Sequence, residues 1–123
     1  MPKKILFIED EAALQRTIGD VLTSAGYTVI QALTGDDGIR LSATEIPDLI
    51  LLDIVLPQKD GFEVLTKIRN TPETKNTPVI VLTNLEGSEE VEHALRLGAR
   101  TYLVKLHYSL DEVLEKIKKT LGD

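Results

Sequence analysis

Four of the five short apolar runs in this sequence give way at their C-terminal ends to polar side chains of compatible chemistry. Ile5–Ile8 leads into Glu9, Asp10 and Glu11, Leu49–Leu52 into Asp53, Val79–Leu82 into Thr83 and Asn84, and Tyr102–Val104 into Lys105. Gathered carboxylates raise one another's pKa or demand a counter-cation, and a donor set of carboxylates alone suits a hard ion with oxygen ligands. Magnesium fits best. It takes one or two carboxylates, a backbone carbonyl and several waters, and it recruits phosphate oxygens. Lys105 offers a compact ammonium and Thr83 a hydroxyl, both suited to phosphoryl oxygens. Each residue alone has a plainer reading: Asp10 or Glu11 as a helix N-cap, Asp53 as a turn former, Thr83 as a β-former, Lys105 as a solvated lysine. The coincidence of four such ends outweighs those readings, provided the fold brings the ends together.

The alternation of elements supplies such a fold. With Val29–Leu33, the five runs are nearly continuous in Ile, Leu and Val, as strands buried on both faces should be. Helical spacing fills the gaps. Leu14, Ile18, Val21, Leu22 and Ala25 make one stripe ended by Gly26, Phe62, Leu65 and Ile68 a second, and Val91, Ala94 and Leu95 a third ended by Gly98. Leu110, Val113, Leu114, Ile117 and Leu121 make the last, opened by a capping box of Ser109 and Glu112. Asp60 reads as the N-cap of the helix that begins near Phe62. A helix over residues 36–45 completes the pattern, although Gly35 and Gly38 lower its propensity. Five β-α repeats predict an α/β fold, a single flavodoxin-like (βα)5 domain over residues 1–123. The strand order 2-1-3-4-5 suits this doubly wound parallel sheet. Ligands in such sheets bind at the carboxyl edge, at the switch point between the first and third strands.

Composition narrows the function classes. Against 14 basic residues stand 20 acidic ones, a formal charge of −6, which argues against direct contact with nucleic acid. There is no cysteine, so thiolate metal sites, disulfides and cysteine nucleophiles are excluded. The run Leu49–Leu52 falls far short of the ~20 residues a membrane helix needs. Lys3 and Lys4 followed by Ile5–Ile8 are too short for a secretory segment, so a cytoplasmic location is expected. No P-loop or GxGxxG pattern occurs, which weighs against a nucleotide.

The stretches KILFIEDE, PDLILLDIVLPQKDGFEVL, PVIVLTN and GARTYLVK resemble the signature blocks of response-regulator receiver domains, in the family's order and spacing and over essentially the whole chain. The resemblance implies that Asp53 accepts a phosphoryl group from a histidine kinase or phosphotransfer protein. It implies that Glu9, Asp10, Asp53 and the Val55 carbonyl hold magnesium, that Thr83 and Lys105 assist, and that Thr83 and Tyr102 form the switch. The face of the fourth helix, fifth strand and fifth helix would then meet a downstream target or an output domain outside this chain. A homodimer through that face is the family's habit, with Arg96, Arg100 and Asp111 as the hint in this chain. Such a chain is a signalling phospho-acceptor that assists its own phosphorylation and dephosphorylation, not an enzyme acting on a separate substrate. The alternative is a receiver-like interaction module that is never phosphorylated.

The sequence departs from the family's pattern at three positions. Glu9 stands where Asp is usual, and its extra methylene favours a water-mediated role at the metal. Asn84 stands where a small residue is common. Leu106 replaces the proline that follows the lysine in a cis peptide. A cis bond before a non-proline residue costs about 2.5–4 kcal/mol, so the Lys105–Leu106 bond is expected to be trans and its loop rearranged. For Tyr102 the plainer reading is a half-buried ring with its hydroxyl in water. His93 and His107 read as surface residues, and Lys116, Lys118 and Lys119 as complement to a helix dipole.

Overall fold

The computed structural model describes residues 2–123. Its elements are β1 (Lys4–Ile8), α1 (Ala12–Ser24), β2 (Thr28–Ala32), α2 (Gly35–Glu45), β3 (Leu49–Leu52), α3 (Gly61–Arg69), β4 (Val79–Thr83), α4 (Ser88–Arg96), β5 (Thr101–Val104) and α5 (Leu110–Leu121). The strands form one parallel sheet in the order β2-β1-β3-β4-β5, the expected topology. No described helix is long and apolar enough to cross a membrane.

Strand side chains alternate between two cores, one on each face of the sheet. On one face Ile5, Phe7, Leu49, Leu51, Ile80, Leu82 and Leu103 pack with Ile18 and Leu22 of α1 and Val113 and Ile117 of α5. On the other, Leu6, Ile8, Ile50, Leu52, Val79 and Val81 pack with Val64, Leu65 and Ile68 of α3 and Ala94 of α4. Every residue of β3 and β4 is buried, which explains why these runs carry no polar alternation.

Helix α2 forms despite its glycines because packing overrides propensity. A Cβ on Gly38 would stand 2.6 Å from Cδ1 of Ile8, so glycine lets the helix lie directly on the sheet. Thr34 caps α2 by accepting from the Asp37 N–H at 3.1 Å, a cap not identified from the sequence. Asp60 caps α3 through the Phe62 N–H at 2.8 Å, and the Ser109–Glu112 capping box is complete. Leu33, Ala25, Leu95 and Leu110 are exposed, a correction to the expected apolar runs. β2 ends at Ala32, α1 turns Gln15 and Gly19 inward in place of Ala25, and Leu97 takes the core contact expected of Leu95.

No cis peptide occurs among the described residues, so Lys105–Leu106 is trans as expected. The rearranged loop is a single 3₁₀ turn over Lys105–His107 that leaves Leu106 80% exposed.

Gly61 opens α3 against the backbone of Ile54, where an added Cβ would meet the Ile54 carbonyl oxygen at 2.6 Å. Backbone cannot yield as a side-chain tip can. Gly61→Ala is therefore expected to destabilise the fold by about 3 kcal/mol in urea denaturation, at the upper end of overpacking costs. A loss below about 1 kcal/mol would show that the loop after β3 relaxes freely.

Candidate functional site

The register of β1 on β3 builds the centre of the site. Ile8 lies opposite Leu52, so the next residues, Glu9 and Asp53, leave the sheet side by side. The Asp53 N–H donates to the Ile8 carbonyl at 3.0 Å, continuing the ladder by one step. Glu9, Asp10 and Asp53 each bring a carboxylate oxygen within 4.8 Å of the others. Glu9 and Asp53 are buried and Asp10 is exposed. With Glu11, Val55, Thr83, Asn84 and Leu85 they line an open cleft of about 490 Å³ at the carboxyl edge of the sheet.

Lys105 arrives from the start of the 3₁₀ turn and joins both buried acids. Its ammonium donates to Glu9 Oε1 at 2.6 Å and to Asp53 Oδ2 at 3.0 Å. The lysine side chain is only 16% exposed, so water screens these contacts far less than the surface pairs Lys3–Asp123 or Arg40–Asp37. Burial pushes the Glu9 carboxyl up to about 7, and the proximity of Asp53 adds to that rise, while Lys105 and the Glu11 N–H act in the opposite sense. Burial lowers the pKa of Lys105, but hydrogen bonds and charge from Glu9 and Asp53 outweigh it, so the ammonium is held above its ordinary value.

Each acid has a different remaining capacity. Both Glu9 oxygens are engaged, Oε1 by Lys105 and Oε2 by the Glu11 N–H at 3.1 Å. Glu11 is the N-cap of α1 but makes no side-chain cap bond, so the capping reading of that residue fails. Asp53 Oδ1 accepts the Val55 N–H at 3.0 Å, which turns the chain so that Val55 borders the cleft. Three carboxylates against one ammonium leave a charge that one divalent cation would neutralise, and an all-oxygen donor set suits a hard ion. The residues present fit magnesium.

Thr83 and Tyr102 converge on the backbone of one residue, Leu85, through its N–H and its carbonyl. Buried Thr83 accepts the Leu85 N–H on Oγ1 at 3.3 Å, and the Tyr102 hydroxyl donates to the Leu85 carbonyl at 2.6 Å. The expectation of a phenol facing water is thereby corrected. The ring packs on the core, and burial raises the pKa of its hydroxyl, with further contributions from Glu90 and Asp53. A second tie crosses between the same loops, where His107 Nε2 lies 3.0 Å from Glu86 Oε1. His93 stacks on Phe62 with ring centroids 4.2 Å apart, away from the acids.

One buried polar residue beside this site escaped the sequence reading. Gln15 of α1 is 2% exposed, with its amide turned to the end of β1. The signal was available: Gln15, Ile18 and Leu22 fall at i, i+3 and i+7, but an apolar stripe drawn through Leu14 passed over the glutamine.

The family profile that matches is the response regulator receiver domain, over residues 5–118. The transcriptional regulatory protein CiaR of Streptococcus pneumoniae is 37% identical over 118 residues, covering 96% of this chain and 51% of that protein. The chain spans about half or less of the length of the curated relatives it matches. A CheY-like receiver domain from Methanospirillum hungatei superimposes with a TM-score of 0.93 at 30% identity, covering 99% of this chain and 95% of that one. The receiver domain of a Pseudomonas aeruginosa sensor histidine kinase, whose structure holds a magnesium ion in its active-site cleft, gives 0.89 at 28% identity, with both chains covered in full.

The raised pKa of Glu9 sets a sign for stability against pH. Between the ordinary 4.5 and about 7, the folded state binds more protons than the unfolded chain, so stability falls as pH rises. In a chelator, wild type is expected to lose on the order of 1–3 kcal/mol between about pH 5 and about pH 7.5, relative to Glu9→Gln. Urea midpoints at the two pH values measure this, and an equal pH dependence in the two proteins would refute burial as the dominant influence on Glu9.

Proposed function

Because the chain belongs to the response regulator receiver domain family, we propose that it is a phosphorylatable receiver with Asp53 as the phospho-acceptor. The observation that carries this reading is the meeting of Glu9, Asp10 and Asp53 within 4.8 Å. Asp10, Asp53 and the Val55 carbonyl would hold magnesium directly. Glu9, with both oxygens already engaged, would act on the ion through water. When bound, magnesium supplies charge neutralisation on the phosphoryl oxygens.

The chain's own residues do the rest. An Asp53 carboxylate oxygen attacks the phosphorus of a phosphohistidine on a histidine kinase or phosphotransfer protein. An O–P bond forms, the P–N bond breaks, and the departing imidazole takes a proton from solvent. Lys105, already on Asp53 Oδ2, follows the developing negative charge, and the Thr83 hydroxyl proton is available to a phosphoryl oxygen. Hydrolysis ends the signal: water attacks phosphorus, the O–P bond breaks, and phosphate and the free carboxylate are released.

The switch runs through Leu85. When Thr83 turns toward the phosphoryl group it releases the Leu85 N–H, and Leu85, freed on that side, then shifts its carbonyl against the Tyr102 hydroxyl. That displacement changes the α4–β5–α5 face, which would engage a target, an output domain outside these residues or a second copy of the chain. No direct contact with nucleic acid or membrane is part of this reading, and it assigns the chain to the cytoplasm.

Incubation with acetyl phosphate and magnesium, followed by intact-mass measurement, is expected to add one phosphoryl group to wild type and none to Asp53→Asn. Wild type remaining unmodified would favour the interaction-module reading. Magnesium at 100 times its Kd should also stabilise the fold by about 2.7 kcal/mol. Asp10→Ala should lose that gain in thermal denaturation.

A further inference from the structure

We propose that Gln15 is a positioning residue for the metal-binding end of β1, fixing the Glu9–Asp10 peptide so that Asp10 presents its carboxylate to the ion. The proposal rests on the reading of Glu9, Asp10 and Asp53 as a magnesium site. Gln15 lies one turn into α1, and its side-chain amide reaches back under the strand. Nε2 donates to the Phe7 carbonyl at 2.8 Å, the Ala32 carbonyl at 3.0 Å and the Glu9 carbonyl at 3.1 Å. Two N–H protons are shared among three acceptors that all belong to the ends of β1 and β2.

The Glu9 carbonyl is the one that matters. Pairing of β1 with both neighbours ends at Ile8, so this carbonyl lies one residue past the last ladder position. Glu9 itself is held by its own N–H, which donates to Ala32 O at 2.9 Å, the same oxygen that Gln15 engages. Because the peptide is planar, holding the Glu9 oxygen fixes the Asp10 nitrogen and Cα with it. Asp10 is the exposed member of the acid cluster, and its side chain has no role in the bonds that tie Glu9 and Asp53 together. Its placement therefore depends on its backbone.

Core stability does not account for an amide here. Oε1 of Gln15 is buried with no hydrogen-bond partner among the described residues, a cost that an apolar side chain of the same length would avoid. Ile18 and Leu22, the next residues on the buried face of α1, are apolar in the manner of a plain helix–sheet contact. What glutamine adds at this position is a donor for the end of the strand.

The test is a magnesium titration of the full chain carrying Gln15→Met, read by calorimetry and by the rate of modification with acetyl phosphate. The half-saturating magnesium concentration is expected to rise about tenfold, as losses of partners outside the ligand shell do. The rate at saturating magnesium should stay within about twofold of wild type, because the nucleophile and Lys105 are untouched. Ile18→Val, on the same helix face, should lower the melting temperature while leaving half-saturation unchanged, which separates positioning from general destabilisation. If Gln15→Met does not fold, Gln15→Asn, which keeps the donors on a shorter stem, is titrated in its place, with a several-fold rise expected. A Gln15 variant that saturates with wild type, or moves no more than Ile18→Val, overturns the proposal and leaves the magnesium site standing. Wild type that never saturates with magnesium removes the site reading and the proposal together.

Discussion

Three carboxylates crowded at one edge of a sheet repel one another, and the ammonium of Lys105 makes the crowding tolerable. Burial is the larger cost for a charge on Glu9, and the nearby Asp53 carboxylate adds to it. One cation shared by Glu9 and Asp53 offsets much of this for the two buried acids and leaves Asp10 to water. The surface pairs elsewhere, such as Lys4–Glu45 at 3.6 Å, belong to a class worth at most about 1 kcal/mol. The arrangement places Asp53 next to a charge partner while leaving the cluster with more carboxylates than cations. That residual charge is the physical reason such a cluster suits a divalent ion.

Parallel topology is what makes such crowding possible. All five strands finish on the same edge, and the order β2-β1-β3-β4-β5 sets the acid-bearing ends of β1 and β3 next to each other. Lys105 must come from farther away. β5 lies two strands from β3, roughly 10 Å at the usual spacing, and three from β1. The 3₁₀ turn beginning at Lys105 and the length of a lysine side chain together span that gap. The same edge carries Thr83, whose hydroxyl engages the N–H of Leu85 while Tyr102 engages that residue's carbonyl, so the chemical site and its neighbouring loop are joined through one residue.

The strand ends were legible because buried parallel strands are written as continuous apolar runs, and a polar residue after such a run can only stand at an edge. The acid cluster, Thr83 and Lys105 followed from that rule with no knowledge of side-chain directions. Gln15 did not, because helical periodicity tolerates an error of one residue and a polar side chain reads as outward by default. The Tyr102 hydroxyl was out of reach for a different reason. Its acceptor is a backbone carbonyl in a loop, which no pattern of residue types announces. Helix α2 shows the reverse case, where glycines that weaken a helix are required by the close approach of Ile8.

Lys105 follows Glu9 by 96 positions, and the strand it extends is the fifth in chain order and an edge of the sheet. During synthesis, therefore, a nascent chain carries all three acids and most of both cores before it possesses the cation that relates them. Contacts between residues so far apart form only after the intervening loop entropy has been overcome. Shorter products of interrupted translation, ending before Lys105, contain the acidic residues without the cation that the complete arrangement sets between them.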